Sequence, residues 1–109
     1  MAYIWQYMQN ETPHSDLRSG FSIGDWAVYP DQNTISRDDE SRHLEPKVME
    51  VLCYLAAHPG QVISRDTLIS ELWKGSYATD EALSRAISIL RRHLGDTPRA
   101  SSYIATVPK

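Results

Sequence analysis

The sequence predicts an α+β domain in which four short strands precede three helices and at least one further strand. Short runs of strand-forming residues between turn residues predict an antiparallel sheet over residues 21–44. Apolar residues at helical spacing predict three helices between residues 46 and 94. The alternating, β-branched segment "SYIATV" predicts a final strand. At 109 residues, the chain is long enough for one domain with a modest core.

Residues 1–20 are interpreted as a leader or linker that we expect to be flexible. The stretch "NETPHSDLRSG" is polar and rich in turn formers, which is typical of a connecting segment. Near its start, aromatic residues alternate with other types at Tyr3, Trp5 and Tyr7. This spacing is that of a short strand seeking a partner, and it is too short to be stable alone. The folded domain is then predicted to comprise residues 21–109.

The region from Phe21 to Leu44 predicts a meander of four strands. "FSI" and "WAVY" are strand-forming runs on either side of a Gly-Asp turn. "DQN" predicts a turn, "TIS" a third strand, "RDDES" a polar turn and "RHL" a return strand. We expect the acidic residues of the last turn, Asp38, Asp39 and Glu40, to lie at a solvated hairpin tip.

The first helix is predicted to begin at Pro46, because a proline in the first helical turn loses no hydrogen bond. One face of this helix is apolar at the spacing i, i+3, i+4, i+7: Val48, Val51, Leu52 and Leu55. "HPG" at 58–60 ends the helix. Cys53 lies at the edge of the apolar face, and no base is placed in the sequence to activate it, so we interpret it as an inert thiol.

The second helix is predicted to follow Ser64, which is a good N-cap, and Asp66 in the first turn suits the helix dipole. Its inward face consists of Leu68, Ile69, Leu72 and Trp73. "KGSYAT" separates it from a longer third helix over residues 80–94, which "GDTP" ends.

The third helix is predicted to have two contrasting faces. Its apolar face follows the spacing i, i+4, i+7, i+11: Leu83, Ile87, Leu90 and Leu94. At about 100° per residue, the opposite side presents Glu81, Ser84, Arg85, Ser88 and Arg92, with Arg91 on the flank. On such a face, arginine can bind guanine edges or phosphate and serine can form short hydrogen bonds, with little bulk between them to keep the helix away from DNA. A short helix, a turn and this longer helix make a helix-turn-helix candidate.

Charge is distributed unequally along the chain. The net charge is −3, but residues 1–78 hold six basic and eleven acidic residues, whereas residues 79–109 hold five basic and three acidic ones. Binding to a polyanion depends on a local basic face and not on the total charge. On charge alone, the favoured interpretation of the three arginines of residues 82–94 is an ordinary solvated helix face.

Several classes of protein are disfavoured by the composition. No stretch approaches the ~18 apolar residues of a membrane helix, and the start lacks the features of a secretory signal. Cys53 is the single cysteine, which suits a reducing compartment. The four histidines show no metal-ligand spacing, so we expect no metal and no cofactor. No paired nucleophile and base and no glycine-rich phosphate loop are present, so we expect no catalytic residues and no enzyme.

Together, "LEPKVMEVLCYLAAHPGQVISRDTLISELW", "LSRAISILRRHLGD" and "YIATVPK" resemble the OmpR/PhoB-type winged-helix DNA-binding domain. The resemblance covers about residues 21–109 and is greatest to the CadC/ToxR-like branch, in which the domain is tethered to a membrane. It implies a winged helix-turn-helix with an N-terminal four-stranded antiparallel sheet, a three-helix core and a C-terminal hairpin, the wing. It also implies that the acidic sheet faces away from DNA.

The resemblance assigns candidate roles to individual residues. The recognition helix corresponds to residues 80–94, and the base-facing positions are Ser84, Arg85 and Ser88. The positions that touch phosphate in relatives are Trp73, Arg91 and Thr106. We add Arg92 and the wing residue Lys109 on charge and position. Alternatively, Trp73 is a core residue and Thr106 is only a strand former. Ser84 and Ser88 are then spacers on a solvated face.

The wing departs from the family pattern. A second wing strand usually begins near a Gly-Tyr pair, and this chain stops at Lys109, so we expect a truncated wing. A strand without its partner has an open edge. We therefore expect residues 103–107 to be mobile or to pair with a neighbouring chain, with the aromatic leader at residues 3–7 as a possible partner strand.

The predicted function is a sequence-specific DNA-binding domain of a bacterial transcriptional regulator. The resemblance implies double-stranded DNA as the partner. RNA polymerase and a second copy of the chain on DNA are possible further partners. A membrane would be contacted only through a longer parent protein. A cytoplasmic location follows, as a free protein or as the cytoplasmic domain of a membrane-tethered regulator. The alternative is a winged-helix protein-interaction module that does not bind DNA, which the missing wing strand and net acidity favour.

Overall fold

In the computed structural model, residues 2–5, 20–23, 25–74, 80–95 and 103–107 are described. They form seven strands and three α-helices in two antiparallel sheets. The strands are β1 (Ala2–Trp5), β2 (Phe21–Ile23), β3 (Trp26–Tyr29), β4 (Thr34–Arg37), β5 (Glu40–His43), β6 (Val62–Ser64) and β7 (Ile104–Val107). The helices are α1 (Pro46–Ala56), α2 (Arg65–Leu72) and α3 (Asp80–Leu94).

The predicted meander is confirmed as a four-stranded sheet in the order β2-β3-β4-β5. Alternation along the strands places Phe21, Ile23, Trp26, Val28 and Ile35 in the core. A 3₁₀ turn at Pro30–Gln32 joins β3 to β4, and Asn33 ends it with φ of 51°. Asparagine tolerates this left-handed conformation better than most residues, which explains its place at the turn. The acidic residues from Asp38 to Glu40 are exposed around the β4–β5 turn, in agreement with a hairpin tip.

The helices follow the caps that the sequence predicted. Pro46 is in the first turn of α1, and the Thr67 amide donates to the Oγ of Ser64 at 3.1 Å at the start of α2. Gly95 follows α3 with φ of 84°, a conformation that side chains rarely adopt, and its amide reaches the Arg92 carbonyl oxygen. The apolar faces are buried together as predicted: Val48, Val51, Leu52, Leu55, Leu68, Leu83, Ile87, Leu90 and Leu94. Leu72, at the last turn of α2, is only half-buried.

The second sheet corrects the interpretation of the N-terminus. It has the order β6-β1-β7, so Ala2–Trp5 is its central strand and not part of a flexible leader. Ala2, Tyr3 and Trp5 are almost fully buried and Ile4 is half-buried, so most of this central strand belongs to the interior. Residues 6–19, which include Tyr7 and the rest of the proposed leader, lie outside the described residues.

The same sheet corrects the expectation for the final strand. β7 pairs antiparallel with β1 of its own chain, with Tyr3 opposite Thr106 and Trp5 opposite Ile104. The strand is therefore neither unpaired nor in need of a neighbouring molecule, because the N-terminal segment supplies its ladder partner. β6, which the sequence did not predict, pairs with the other edge of β1, with Tyr3 opposite Ile63.

Within the described residues, no helix is both long enough and apolar enough to cross a membrane.

Candidate nucleic-acid interface

Helix α3 has the two faces that its sequence predicts. Leu83, Ile87 and Leu90 are at most 1% exposed. On the opposite side, five side chains are exposed: Glu81, Ser84, Arg85, Ser88 and Arg92. Because successive residues turn by about 100°, Glu81, Ser88 and Arg92 lie in the middle of the exposed arc, with Arg85 at one side and Ser84 at the other, next to Arg91.

Arg85, the predicted base reader, is bound to a carboxylate. Its two terminal nitrogens donate to the two carboxylate oxygens of Glu45 at 3.1 and 3.0 Å. The pair joins α3 to the N-cap of α1, and its side chains are 64% and 53% exposed. The hydrogen bond from Arg85 lowers the pKa of Glu45, and Glu45 in turn raises the pKa of Arg85. Both terminal nitrogens of Arg85 are therefore already oriented to bind a bidentate acceptor.

Ser84 is held by an arginine that the sequence reasoning missed. Arg65, the first residue of α2, donates to the Ser84 Oγ at 2.9 Å and to the Asp80 carbonyl oxygen at 2.6 Å. Its Nε faces the Asp80 carboxylate at 3.4 Å, and its Nη1 donates to the Tyr3 hydroxyl at 2.7 Å. The Arg65 side chain is only 15% exposed. It therefore fixes the start of α2 against the first turns of α3.

Arg91 and Thr106, both predicted to touch phosphate, lie together. The Nη2 of Arg91 donates to the Thr106 Oγ1 at 2.7 Å and to the Ile104 carbonyl oxygen at 3.2 Å. These bonds connect the flank of α3 to β7, and the Thr106 side chain is exposed. The Nε of Arg91 is buried without a hydrogen-bond partner among the described residues. The contact makes one cationic and hydroxyl-bearing edge beside the exposed face of α3.

Trp73, the third residue predicted to touch phosphate, is half-buried at the end of α2. Its amide donates to the Ile69 carbonyl oxygen at 3.0 Å, which completes the last turn of α2. The ammonium of Lys47 lies 5.3 Å from the ring centroid of Trp73 and donates to the Leu72 carbonyl oxygen. A cation over an indole face is a favourable arrangement. Trp73 therefore packs partly against the core and also supports a cation at the surface.

The C-terminal end of α3 is tied to the meander. Arg42 of β5 donates to the His93 carbonyl oxygen at 3.2 Å, which satisfies one of the carbonyls that a helix end leaves free. The His93 ring is half-buried, and burial together with Arg42 and Arg92 lowers its pKa, while Glu45 acts in the opposite direction. The neutral imidazole is therefore the favoured form in the folded chain.

The structure thus places some of the predicted site residues close to one another. Ser84, Ser88, Arg85 and Arg92 share the exposed face of α3, and Arg91 contacts Thr106 at its edge. Lys109, the predicted wing residue, lies outside the described residues. The sequence does show Arg65 as a cation directly after the N-cap of α2. Its partners are 15 to 62 positions away, so the sequence did not indicate that it would contact them. Among the described residues, no group of acids, histidines or cysteine forms a candidate metal site.

The chain is similar to known transcriptional regulators. The family described as "Transcriptional regulatory protein, C terminal" matches residues 39–109. Transcriptional activator CadC of Escherichia coli K12 is 44% identical over 88 residues, which are 80% of this chain and 17% of that protein. The alkaline phosphatase synthesis transcriptional regulatory protein PhoP of Bacillus subtilis 168 is 30% identical over 99 residues, 90% of this chain and 41% of that protein.

A solved structure has the same fold. The DNA binding domain of E. coli CadC superposes with a TM-score of 0.72 at 44% identity, and the match covers 81% of this chain and 83% of that one. The chain spans less than half the length of either curated relative.

Proposed function

From the premise that the chain belongs to the transcriptional regulatory protein C-terminal family, as a winged-helix DNA-binding domain of a transcription regulator, we propose that α3 reads the major groove of double-stranded DNA. This proposal rests on the exposed face of α3, where serines and arginines lie opposite a buried, leucine-rich face. A helix of 15 residues is about 22 Å long, and the major groove admits an α-helix.

In the proposed complex, Ser84, Arg85 and Ser88 face base edges. Ser88 is small and lies in the middle of the exposed arc, so it allows the helix to approach the groove floor, while Ser84 lies at the side next to Arg91. Arg85 exchanges the Glu45 carboxylate for a bidentate acceptor on DNA, such as guanine O6 and N7. The exchange costs little because solvent screens an exposed ion pair.

Phosphate contacts are proposed for the residues around the helix. Arg91 and Thr106 form one edge, Arg92 lies on the exposed face, and Trp73 with its neighbouring Lys47 lies at the end of α2. Such contacts fix register and orientation without reading sequence. Lys109, near the end of the sequence, is proposed as a further contact on its charge alone.

Further partners follow from the proposal. A second copy on a tandem or inverted site would add the affinity that one small domain lacks, and RNA polymerase would be contacted by the parent regulator. A chromosomal target places the domain in the cytoplasm, and any membrane attachment would come through a longer parent protein.

The test separates base reading from phosphate contact. Duplexes containing two half-sites, with single base-pair variants, are titrated at low salt with the wild type and with Arg85→Ala and Arg91→Ala. We expect Arg85→Ala to lose binding unequally across the variants, by about 1–3 kcal/mol at the base pair that Arg85 reads. We expect Arg91→Ala to weaken all duplexes alike and to lower the salt slope by about one unit.

Two controls make the comparison specific. Glu45→Gln removes the partner of Arg85 but keeps the arginine, so it should bind DNA at least as tightly as the wild type. Arg37→Ala removes the same charge from β4, where no DNA contact is proposed. If Arg85→Ala and Arg91→Ala give the same uniform loss, Arg85 does not read bases. If neither differs from Arg37→Ala, the interaction-module alternative replaces DNA binding.

A further inference from the structure

Tyr3 lies on a strand outside the region that the family match covers, residues 39–109, yet it touches two arginines beside the exposed face of α3. We propose that Tyr3 is a positioning residue for the DNA interface, acting through Arg65 and Arg91. The inference rests on the proposed function and extends it to the N-terminal strand, to which the comparisons assign no role.

The first step is that the Tyr3 side chain is fixed. Tyr3 is 4% exposed and is the second of four residues in a strand that pairs on both sides. It stands opposite Ile63 of β6 and opposite Thr106 of β7. A side chain on a strand held from two sides has little freedom to follow a moving partner. Its hydroxyl and ring are therefore a rigid reference point.

The second step is the hydrogen bond to Arg65. The Arg65 Nη1 donates to the Tyr3 hydroxyl at 2.7 Å, and the guanidinium carbon lies 5.9 Å from the ring centroid. The other Arg65 donors go to Asp80 and Ser84. Charge-assisted hydrogen bonds from a planar guanidinium hold its orientation closely. Tyr3 thus fixes the plane in which Arg65 presents its remaining donors to Ser84, a proposed base-facing residue.

The third step is the second arginine. The guanidinium carbon of Arg91 lies 6.0 Å from the same ring centroid. Arg91 also donates to Thr106, the residue opposite Tyr3 in the ladder. One tyrosine ring therefore lies about 6 Å from two guanidinium groups, a distance at which the negative face of an aromatic ring attracts a cation. A rigid pair of arginines binds a polyanion at a smaller ordering cost than two mobile ones.

The experiment uses Tyr3→Phe, which keeps the ring and the strand but removes the hydroxyl that Arg65 binds. Tyr29→Phe is the matched control, because Tyr29 is 42% exposed on β3. Affinity for the two-half-site duplex is measured for Tyr3→Phe, Arg65→Ala and the double variant. We expect Tyr3→Phe to weaken DNA binding on the order of two- to tenfold, in keeping with the loss of one charge-assisted hydrogen bond. In the Arg65→Ala background, the same substitution should cost nothing further.

A second measurement needs no DNA. The side-chain NMR signals of Arg65 should show faster guanidinium rotation in free Tyr3→Phe than in the wild type or in Tyr29→Phe. Unchanged rotation overturns the inference, as does an equal loss of affinity with and without Arg65. If the wild type binds no duplex while the rotation changes as expected, the proposed function fails, and the contact of Tyr3 with Arg65 is then structural only, which also overturns the positioning role.

Discussion

In the described part of the chain, four arginines donate hydrogen bonds from one element to another segment: Arg42, Arg65, Arg85 and Arg91. Arg65 and Arg85 differ in how far their side chains are exposed to solvent. Arg65 is only 15% exposed, so removing it leaves partly buried acceptors without a donor, whereas the Arg85 pair is more than half exposed. The exposed pair is weak and exchangeable, since solvent screens it. We therefore infer that Arg85 changes partner on binding while Arg65 keeps its own.

His93 provides a prediction of pH dependence. Its pKa is below the ordinary value, first because burial disfavours the charged ring, and then because Arg42 and Arg92 repel it, although Glu45 attracts it. The unfolded chain then binds more protons than the folded chain below about pH 6.5, so stability decreases as the pH falls from there. We expect the thermal midpoint to drop between pH 7.5 and 5.5, and to drop less in His93→Gln.

The control for His93 is His43→Gln, since His43 is exposed on β5. That variant should keep the wild-type dependence on pH. A wild-type midpoint that stays constant down to pH 5.5, or a dependence unchanged in His93→Gln, would reject the assignment to His93.

Among the elements, α2 depends most on its ends. It has eight residues and a single fully buried one, Leu68, so packing alone contributes little to its stability. Isolated helices of this length are not stable in water. The Ser64 cap, the Arg65 contacts and the Lys47 bond to the Leu72 carbonyl oxygen secure both ends. The orientation of α2 matters because it supports the first turns of α3.

We predict that Ser64→Ala destabilises the fold by about 1 kcal/mol, because the Thr67 amide loses its acceptor at the helix start. Urea unfolding measures the change. Ser70→Ala is a matched control, since Ser70 is exposed within the same helix and alanine has the higher helix propensity. Equal unfolding midpoints for Ser64→Ala and Ser70→Ala would show that the cap is not needed.

At the scale of the whole molecule, the β6-β1-β7 sheet joins distant parts of the chain. β1 comes from the N-terminus, β6 precedes α2, and β7 follows α3. Trp5 is fully buried in β1, with its ring 5.8 Å from the Tyr103 ring, and its carbonyl oxygen accepts from the Gly60 amide at 2.9 Å. The N-terminal strand is thus part of the core and of the frame that places Arg91 and Thr106.

We predict that Trp5→Ala destabilises the domain by about 3–5 kcal/mol, the range for removing a buried tryptophan from a core. Tyr29→Ala, on an exposed position, should cost much less. Denaturant unfolding followed by circular dichroism compares the two, and the loss should appear in one cooperative transition. A loss below about 1 kcal/mol for Trp5→Ala would show that β1 is accessory to the fold.

Features that depend on neighbours close along the chain could be predicted from the sequence. The bounds of α3, its buried leucine face and the Ser64 cap follow from spacing over three to eleven residues. Such patterns are local because a helix repeats every 3.6 residues. They also placed Ser84, Arg85, Ser88 and Arg92 on one exposed face before any partner was known.

Which elements meet is known only from the folded structure. Periodicity shows which side of a strand or helix faces inward but not what lies opposite, so the sequence predicts a leader at Ala2–Trp5 and does not predict its pairing with β6. The sequence does indicate residues 3–7 as a possible partner of the final strand, but the pairing within one chain is a finding of the structure. The pairing of Arg85 with Glu45 joins residues 40 positions apart, and that of Arg65 with Tyr3 joins residues 62 positions apart. Contacts at such separations depend on how the whole chain packs, because no local pattern records the partner.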